Sequence, residues 1–536
     1  MLRNVLANYL DSVSEIDFFS PFFNLLSSNG FYDIHLTHGN TEFGKDFIAK
    51  KSDGNGFYQY SFQIKKGNIG QSELREIQPQ LFELNISGLT HPNFDHSLEH
   101  RPYLVITGEL VGNAKIEMTD FNRTLSEKYK LSEILFWGKE NLLDLFELSN
   151  LEQIYFSSDD SIKLFGDFFV LYGKGIKRVN MISDIEKHSR KWLTLPLTSY
   201  EIMRISSIEA ELLAGQAIAD EFYYEAIYTL MTFYRLLIWL VSDSEHLEIE
   251  AEEKKNITHL QELVFQRILV LCEEFFQEFK KLWITSGKEL VRGLMGEEVI
   301  VSYLVNCSRI IEITGFLGLV SDNPQEYLEF LIEFINTEPG TKKVLSDNYS
   351  VGIIPASLFL LKENKVEEFL NFQKDLVIWL CDKFEEGIGL ASYGSSPIRE
   401  VEVFFGEAFE FIKPEKSGSF LSTIVSDLAS FSQLNDFYND VINDIRAVGI
   451  NNNYWQLTCE DDFYRIDTEN LIYFPAIEFS YELGSFDEFN YAEHIKHELE
   501  CIAFTNKENP IHEILILIIL LRDRYFPKYW NRLLGR

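Results

Sequence analysis

Three neighbouring stretches decide how the N-terminal part of this chain is read: Phe43-Gly-Lys-Asp46, Ser52-Asp-Gly-Asn-Gly56, and Phe57-Tyr-Gln-Tyr-Ser-Phe-Gln-Ile-Lys65. From Phe57 to Lys65 the residues alternate. Tyr58, Tyr60, Phe62 and Ile64 fall on one face, and Gln59, Ser61, Gln63 and Lys65 on the other. That period of two, rich in aromatic residues, predicts a half-buried strand. Gln63 and Lys65 then point the same way, about 7 Å apart. Asp46-Phe-Ile-Ala reads as the preceding strand, and the Gly-rich turn closes an antiparallel hairpin. Such a hairpin brings Asp46 beside Gln63 and Lys65.

A carboxylate, a carboxamide oxygen and a lysine at one spot have a defined chemistry. Hard oxygens suit Mg2+ or Mn2+ together with the phosphate oxygens of a substrate. The ion stabilises charge on a reacting phosphate and lowers the pKa of an attacking water. A lysine alongside can orient that water or neutralise developing charge.

Asp46 followed by Gln63-Ile-Lys65 resembles the D…(E/Q)xK signature of the PD-(D/E)xK, restriction-endonuclease-like superfamily, and the Gln form is similar to its Mrr-like branch. The resemblance covers the first 150 residues or so and leaves the rest of the chain untouched. It implies a metal-dependent DNA endonuclease using Mg2+ (or Mn2+). Asp46 would bind the metal, Gln63 would be a second ligand or support, and Lys65 would position water and stabilise the transition state. Mrr-like enzymes carry a further acid on the first helix. Glu15 stands at the matching position, with Glu42 as a second possibility. The sequence departs from the signature twice: Lys45 stands where the name-giving proline would be, and Gln63 replaces a carboxylate. The setting implied is restriction or anti-phage defence, in which such nucleases are fused to sensor or assembly regions.

The flanking elements agree with this reading. Leu6 to Leu26 reads as a helix kinked or divided by Pro21, and Asn29-Gly30 ends it. Strands are expected at Phe31–His38, Asp46–Lys51, Phe57–Lys65, Tyr103–Thr107 and Ile134–Trp137. Helices are expected at Gln71–Ser87 (with a kink or boundary at Pro79), Ala114–Lys130 and Asn141–Leu148. The order α-β-β-β-α-β-α-β is that of the restriction-endonuclease-like α/β core. His91, Asp95, His96 and His100 form the one histidine cluster, but His-Pro-Asn-Phe-Asp reads as a loop rather than as a helical metal pair.

At 536 residues the chain has room for two to four domains. Residues 1–155 are the nuclease-like domain, and 156–198 a linker or small mixed subdomain. Residues 199–536 are a mainly α-helical regulatory or assembly region with a break near 387–420 and no clean repeat period. Five scattered cysteines without zinc-type spacing fit a reducing cytoplasm. No signal peptide opens the chain, and the longest apolar run, Ile514 to Leu521, is too short for a membrane span. Gly315-Phe-Leu-Gly318 lies in an apolar helix and reads as a packing feature, and no GxxxxGK[ST] loop is present.

The net charge of −35 excludes a broadly basic nucleic-acid binder. The first 150 residues carry 13 basic and 20 acidic side chains, so any basic surface is local. Lys45, Lys50, Lys51, Lys65 and Lys66 are expected to surround the Asp46 group, with Lys45, Lys51 and Lys66 contacting substrate. The acidic helical region is read as holding a protein partner, forming a homo-oligomer, or keeping the nuclease off DNA. The rival reading is a weakly active or inactive nuclease fold serving as an interaction or scaffold subunit of a defence complex. Nothing in the sequence separates DNA from RNA.

Overall fold

In a computed structural model of the chain the described residues are 2–37, 45–52, 56–86, 92–147, 181–192, 198–242, 251–290, 296–392, 395–406 and 418–456, with short pieces at 466–467, 472–473, 477–481, 515–516 and 530. They divide into two compact units. The first holds residues 1–177, 195–222 and 243–267, and the second holds 178–194, 223–242 and 268–536.

The first unit opens with helices α1 (Leu2–Ser12) and α2 (Glu15–Ser28) and is built on a five-stranded sheet. Its strands are β1 (Tyr32–Leu36), β2 (Phe47–Ser52), β3 (Phe57–Lys65), β4 (Glu99–Ile106) and β5 (Leu135–Trp137), in spatial order β1-β2-β3-β4-β5. The first three run antiparallel, while β3-β4 and β4-β5 are parallel. Parallel neighbours need a crossover. Helix α3 (Gln71–Ile86) supplies the first, and α4 (Ala114–Thr124), extended by a π-helical turn at Leu125–Tyr129, supplies the second. Helix α5 (Lys139–Glu147) follows β5.

Both faces of the sheet are covered. On one, Phe22 of α2 meets the rings of Phe47, Phe62 and Trp137 edge-on at 5.5, 5.4 and 6.3 Å. On the other, Leu74, Leu81 and Leu84 of α3 and Met118 of α4 pack with Leu104, Ile106 and Ile134. The alternation in β3 thus carries two half-cores, which is why Ser61 and Gln63 are as buried as Phe62.

Pro21 does not divide the first helical stretch. The break falls at Val13-Ser14, where Ser14 caps α2 by accepting from the Asp17 amide at 3.2 Å, and Pro21 is buried inside α2. A proline there removes the donor for the Asp17 carbonyl. The Tyr9 hydroxyl of α1 approaches that carbonyl at 3.5 Å and takes up part of the loss. Pro79 likewise lies inside α3.

Four further helices follow: α6 (Met181–Trp192), α7 (Ser199–Ala219), α8 (Tyr223–Ser242) and α9 (Ala251–Thr285). The division into units is interleaved rather than serial. Helix α7 joins the first unit, where Asn24 of α2 donates to Ser207 at 2.6 Å. The part of α9 up to Arg267 joins it as well, laying His259 against the Ile34 carbonyl of edge strand β1 at 3.2 Å. An open strand edge invites pairing with another chain, and a covering helix removes that hazard.

The second unit is helical: α6, α8, the remainder of α9, then α10 (Glu297–Val320), α11 (Gln325–Thr337), α12 (Ile353–Lys362) and α13 (Val366–Glu385). Helices α14 (Pro397–Phe405), α15 (Phe420–Phe431) and α16 (Asn435–Val448) follow among the described residues. Gly315 and Gly318 let α10 approach α12 closely; an added Cβ would stand 2.3 Å from the Ala356 amide nitrogen and 2.2 Å from the Phe359 ring. Two buried acids of this unit tie together turns and helix ends. Glu338 accepts from Trp283, Leu290 and Tyr303, and Asp347 caps α15 by accepting from Phe420 and Leu421. One described helix, at Val299–Val320, is long and apolar enough to cross a membrane, and 61% of it is buried within the protein. Strands Asn451–Gln456 and Ile477–Tyr481 pair antiparallel.

Candidate active site

The β2-β3 register pairs Phe47 with Phe62, which sets Asp46, one residue before β2, opposite Gln63. Asp46 donates its amide to the Phe62 carbonyl at 2.8 Å. Its Oδ2 accepts from the Ile64 amide at 2.6 Å and from Gln63 Nε2 at 2.9 Å. Both side chains are nearly buried, at 4% and 5% exposure. An amide-to-carboxylate bond of this kind is worth about 1.5–3 kcal/mol, so the Asp46 side chain is held rigidly.

Lys65 lies on the same face as Gln63 and is more open, with 21% of its side chain exposed. Its Nζ stands 3.4 Å from Glu15 Oε2 in the first turn of α2. The Glu15 Oε1 accepts from the Lys66 amide at 3.4 Å, and Lys66 Nζ donates to the Ser12 carbonyl at 3.1 Å. Asp46, Gln63, Lys65, Glu15 and Lys66 are therefore brought to one end of β3. The lysine–glutamate contact is long and part-exposed, which makes it worth no more than about 1 kcal/mol.

Lys45 and Lys51 are not brought there. Lys45 is fully buried and donates from Nζ to the Glu83 carbonyl of α3 at 3.1 Å. Burial, offset in part by Glu83, pulls its ammonium down to about 8. Lys51 pairs with Tyr58 at the far end of the hairpin, about 16 Å along the strand from Asp46. It faces the opposite side of the sheet and lies over the Phe31 ring at 4.5 Å. Lys50 is also taken, by Asp33 at 2.7 Å. The cause is strand geometry: successive side chains alternate faces, so sequence neighbours of Asp46 need not share its environment. Lys45→Met is expected to leave DNA affinity, read by fluorescence anisotropy, unchanged. The same variant should raise stability in urea at pH 6 by about 1 kcal/mol, because a buried ammonium is removed.

Glu42 and His91 lie outside the described residues. His96 sits in a turn and His100 on β4, so they do not form a helical pair. His100 instead meets Ser61 at 2.7 Å; burial, helped by positive charge on Lys45 and His96, pushes its imidazole down to about 4. Neutral, part-buried His100 and fully buried Ser61 satisfy one another across β3 and β4.

A second polar group escaped the sequence reading. Asp33, at φ +51° beside a bulge in β1, accepts from Lys50 at 2.7 Å and Asn93 at 2.9 Å, and lies 2.9 Å from His35 Nε2. Burial alone would raise its carboxyl; the bonds from Lys50, His35 and Asn93 outweigh it and hold the group well below the usual carboxylate range. Asp in a left-handed bulge is a weak sequence signal, and its partners come from β1, β2 and a loop.

Among the described residues no three His, Cys, Asp or Glu side chains form a ready-made metal cage. Mg2+ rarely uses one. It keeps several waters and takes one or two carboxylates plus substrate phosphates. Asp46, Glu15 and the Gln63 carboxamide fit that requirement as hard-oxygen donors. No protein-family model, curated protein or solved structure matches the chain.

Proposed function

We propose that the first unit is a restriction-endonuclease-like domain of PD-(D/E)xK type, a metal-dependent endonuclease hydrolysing DNA phosphodiester bonds in restriction or anti-phage defence. The helical region senses, assembles or restrains it. One observation carries the reading: a buried aspartate fixed opposite Gln63, with Lys65 two residues on and an acid of the first-helix region at Lys65. The mixed five-stranded sheet with a helix before β1 and crossovers after β3 and β4 supports it.

Asp46, Gln63 and Glu15 would hold Mg2+ or Mn2+, which when bound supplies Lewis acidity to the scissile phosphate. The protein's own contributions follow from geometry. The Ile64 amide aims Asp46 and removes its freedom to rotate. Lys65, at the open end of the group, hydrogen-bonds the attacking water and neutralises charge developing on the phosphate. Glu15 fixes the Lys65 side chain before substrate arrives.

Purified full-length protein should nick supercoiled plasmid in Mg2+ or Mn2+ and be silent in EDTA. Lys65→Ala should lower the rate by about 100- to 1,000-fold, the usual cost of removing one group that stabilises transition-state charge. Equal rates for the variant and the parent protein would remove Lys65 from the mechanism. The scaffold reading would gain from partner binding that survives Asp46→Ala alongside no cleavage in either metal.

A further inference from the structure

The end of the sheet that carries Lys65 is also where parallel strands β3, β4 and β5 finish, and in open α/β sheets that end is where ligands bind. The registers Lys65↔Ile106 and Val105↔Trp137 put the last residues of the three strands in one row. Lys139, the first residue of α5, continues that row: its amide donates to the Gly108 carbonyl just past β4 at 2.8 Å. Lys65 and Lys66 at the end of β3, and Lys139 after β5, thus form a three-cation rim about 10 Å across, two strand spacings wide.

Every cation of the rim meets an oxygen of the N-terminal helices. Lys139 Nζ lies 2.7 Å from Asp11 Oδ1, Lys66 Nζ meets the Ser12 carbonyl, and Lys65 meets Glu15. Helix α1 itself is firmly seated, with Leu6 and Leu10 fully buried and Arg3 paired to Glu140 and Asp144 of α5. The rim is therefore uncovered by side-chain exchange rather than by release of a helix. The Asp11 carboxylate is 61% exposed, and an exposed ion pair is readily traded for another anion.

We propose that Lys65, Lys66 and Lys139 form the surface that grips the phosphodiester backbone, and that Asp11 is an internal anion occupying it until a phosphate displaces it. The inference rests on the nuclease reading for its choice of polyanion. It also explains how a chain of charge −35 can hold DNA: through a small rim already matched to anions.

The test is binding of the full-length protein to duplex DNA in EDTA, followed by fluorescence anisotropy across a salt series, with plasmid cleavage run in parallel. Asp11→Asn should tighten binding by about threefold or more and steepen the salt dependence. Lys139→Ala should weaken binding and lower the salt slope by about one contact. Lys115→Ala, a surface lysine of α4, is the control and should match the parent protein. The inference is overturned if Asp11→Asn and Lys139→Ala both bind like the parent, if Lys115→Ala weakens binding as much as Lys139→Ala, or if neither the parent nor Asp11→Asn binds DNA. Expected binding shifts without cleavage keep the rim and remove the nuclease; cleavage without those shifts does the reverse.

Discussion

Glu211→Gln is expected to stabilise the first unit by about 3 kcal/mol more at pH 8 than at pH 5. Glu211, on α7, is 3% exposed and lies within electrostatic reach of Arg267 of α9 and Asp17 of α2. Burial pushes its carboxyl up to about 8, Arg267 pulls it back, and Asp17 raises it further. The folded protein therefore holds this proton far more tightly than an unfolded chain does. Its stabilising effect is complete below the ordinary glutamate range and drains away as pH rises through about 8. Glutamine mimics the protonated form at every pH, so it escapes that loss. Urea unfolding at pH 5 and pH 8 reads the effect directly; a variant whose midpoint moves in parallel with the parent's would show that Glu211 is ionised in the fold.

The same cluster bears on the candidate site. Asp17 lies 2.6 Å from Arg267 Nη2, an ion pair close in distance but not aligned as a hydrogen bond. One guanidinium cannot serve the buried Glu211 and the part-exposed Asp17 equally, so a neutral Glu211 leaves Arg267 to Asp17. Asp17 and Glu15 share the first turn of α2, so the partner of Asp17 on α9 helps to set where Glu15 meets Lys65.

Much of the first unit was legible because its signals are local. The alternation from Phe57 to Lys65 gave β3 to the residue, and the turn chemistry at 52–56 gave the hairpin. The ends of helix α3 were placed to within one residue because Leu74, Leu81 and Leu84 keep helical spacing, although Pro79, expected to kink or end it, lies inside it. What failed depended on distance. Pro21 looked like a breaker, yet it is buried in α2 and the carbonyl it orphans meets Tyr9 of another helix. The membership of α7 and of the first part of α9 in the first unit rests on Asn24–Ser207 and Ile34–His259, pairs more than 180 residues apart that no periodicity announces.

The site divides the same way. Asp46 opposite Gln63 followed from strand pairing, which a hairpin fixes once its turn is known. The lysines did not follow, because reach and direction rather than nearness in sequence decide where an ammonium goes: Lys45 enters the core and Lys139, 74 residues beyond Lys65, arrives at the same rim. Ser61 was placed on the polar face, but its partner His100 lies on β4, and only the parallel register joins them.

Gln63→Glu tests the metal assignment most sharply, because it should have opposite effects with and without the ion. The Gln63 amide donates to Asp46 at 2.9 Å. A carboxylate there loses that bond and sets two like charges side by side in a nearly buried spot, so one of the pair must take up a proton at a raised pKa. Stability in EDTA should fall by about 2 kcal/mol, the sum of a lost hydrogen bond and the cost of the crowded acids. A divalent cation reverses the sign: both carboxylates become ligands, the shared proton is released, and affinity for Mn2+ should rise by about tenfold or more. Saturating Mn2+ should then restore the lost stability through binding to the folded state alone. Calorimetric titration with Mn2+ in two buffers of different ionisation enthalpy measures the affinity and the proton count together. If stability falls in EDTA while Mn2+ affinity and proton release match the parent protein, Gln63 is no ligand. The amide's role would then be confined to holding Asp46, and the metal would have to be carried by Asp46 and Glu15 alone.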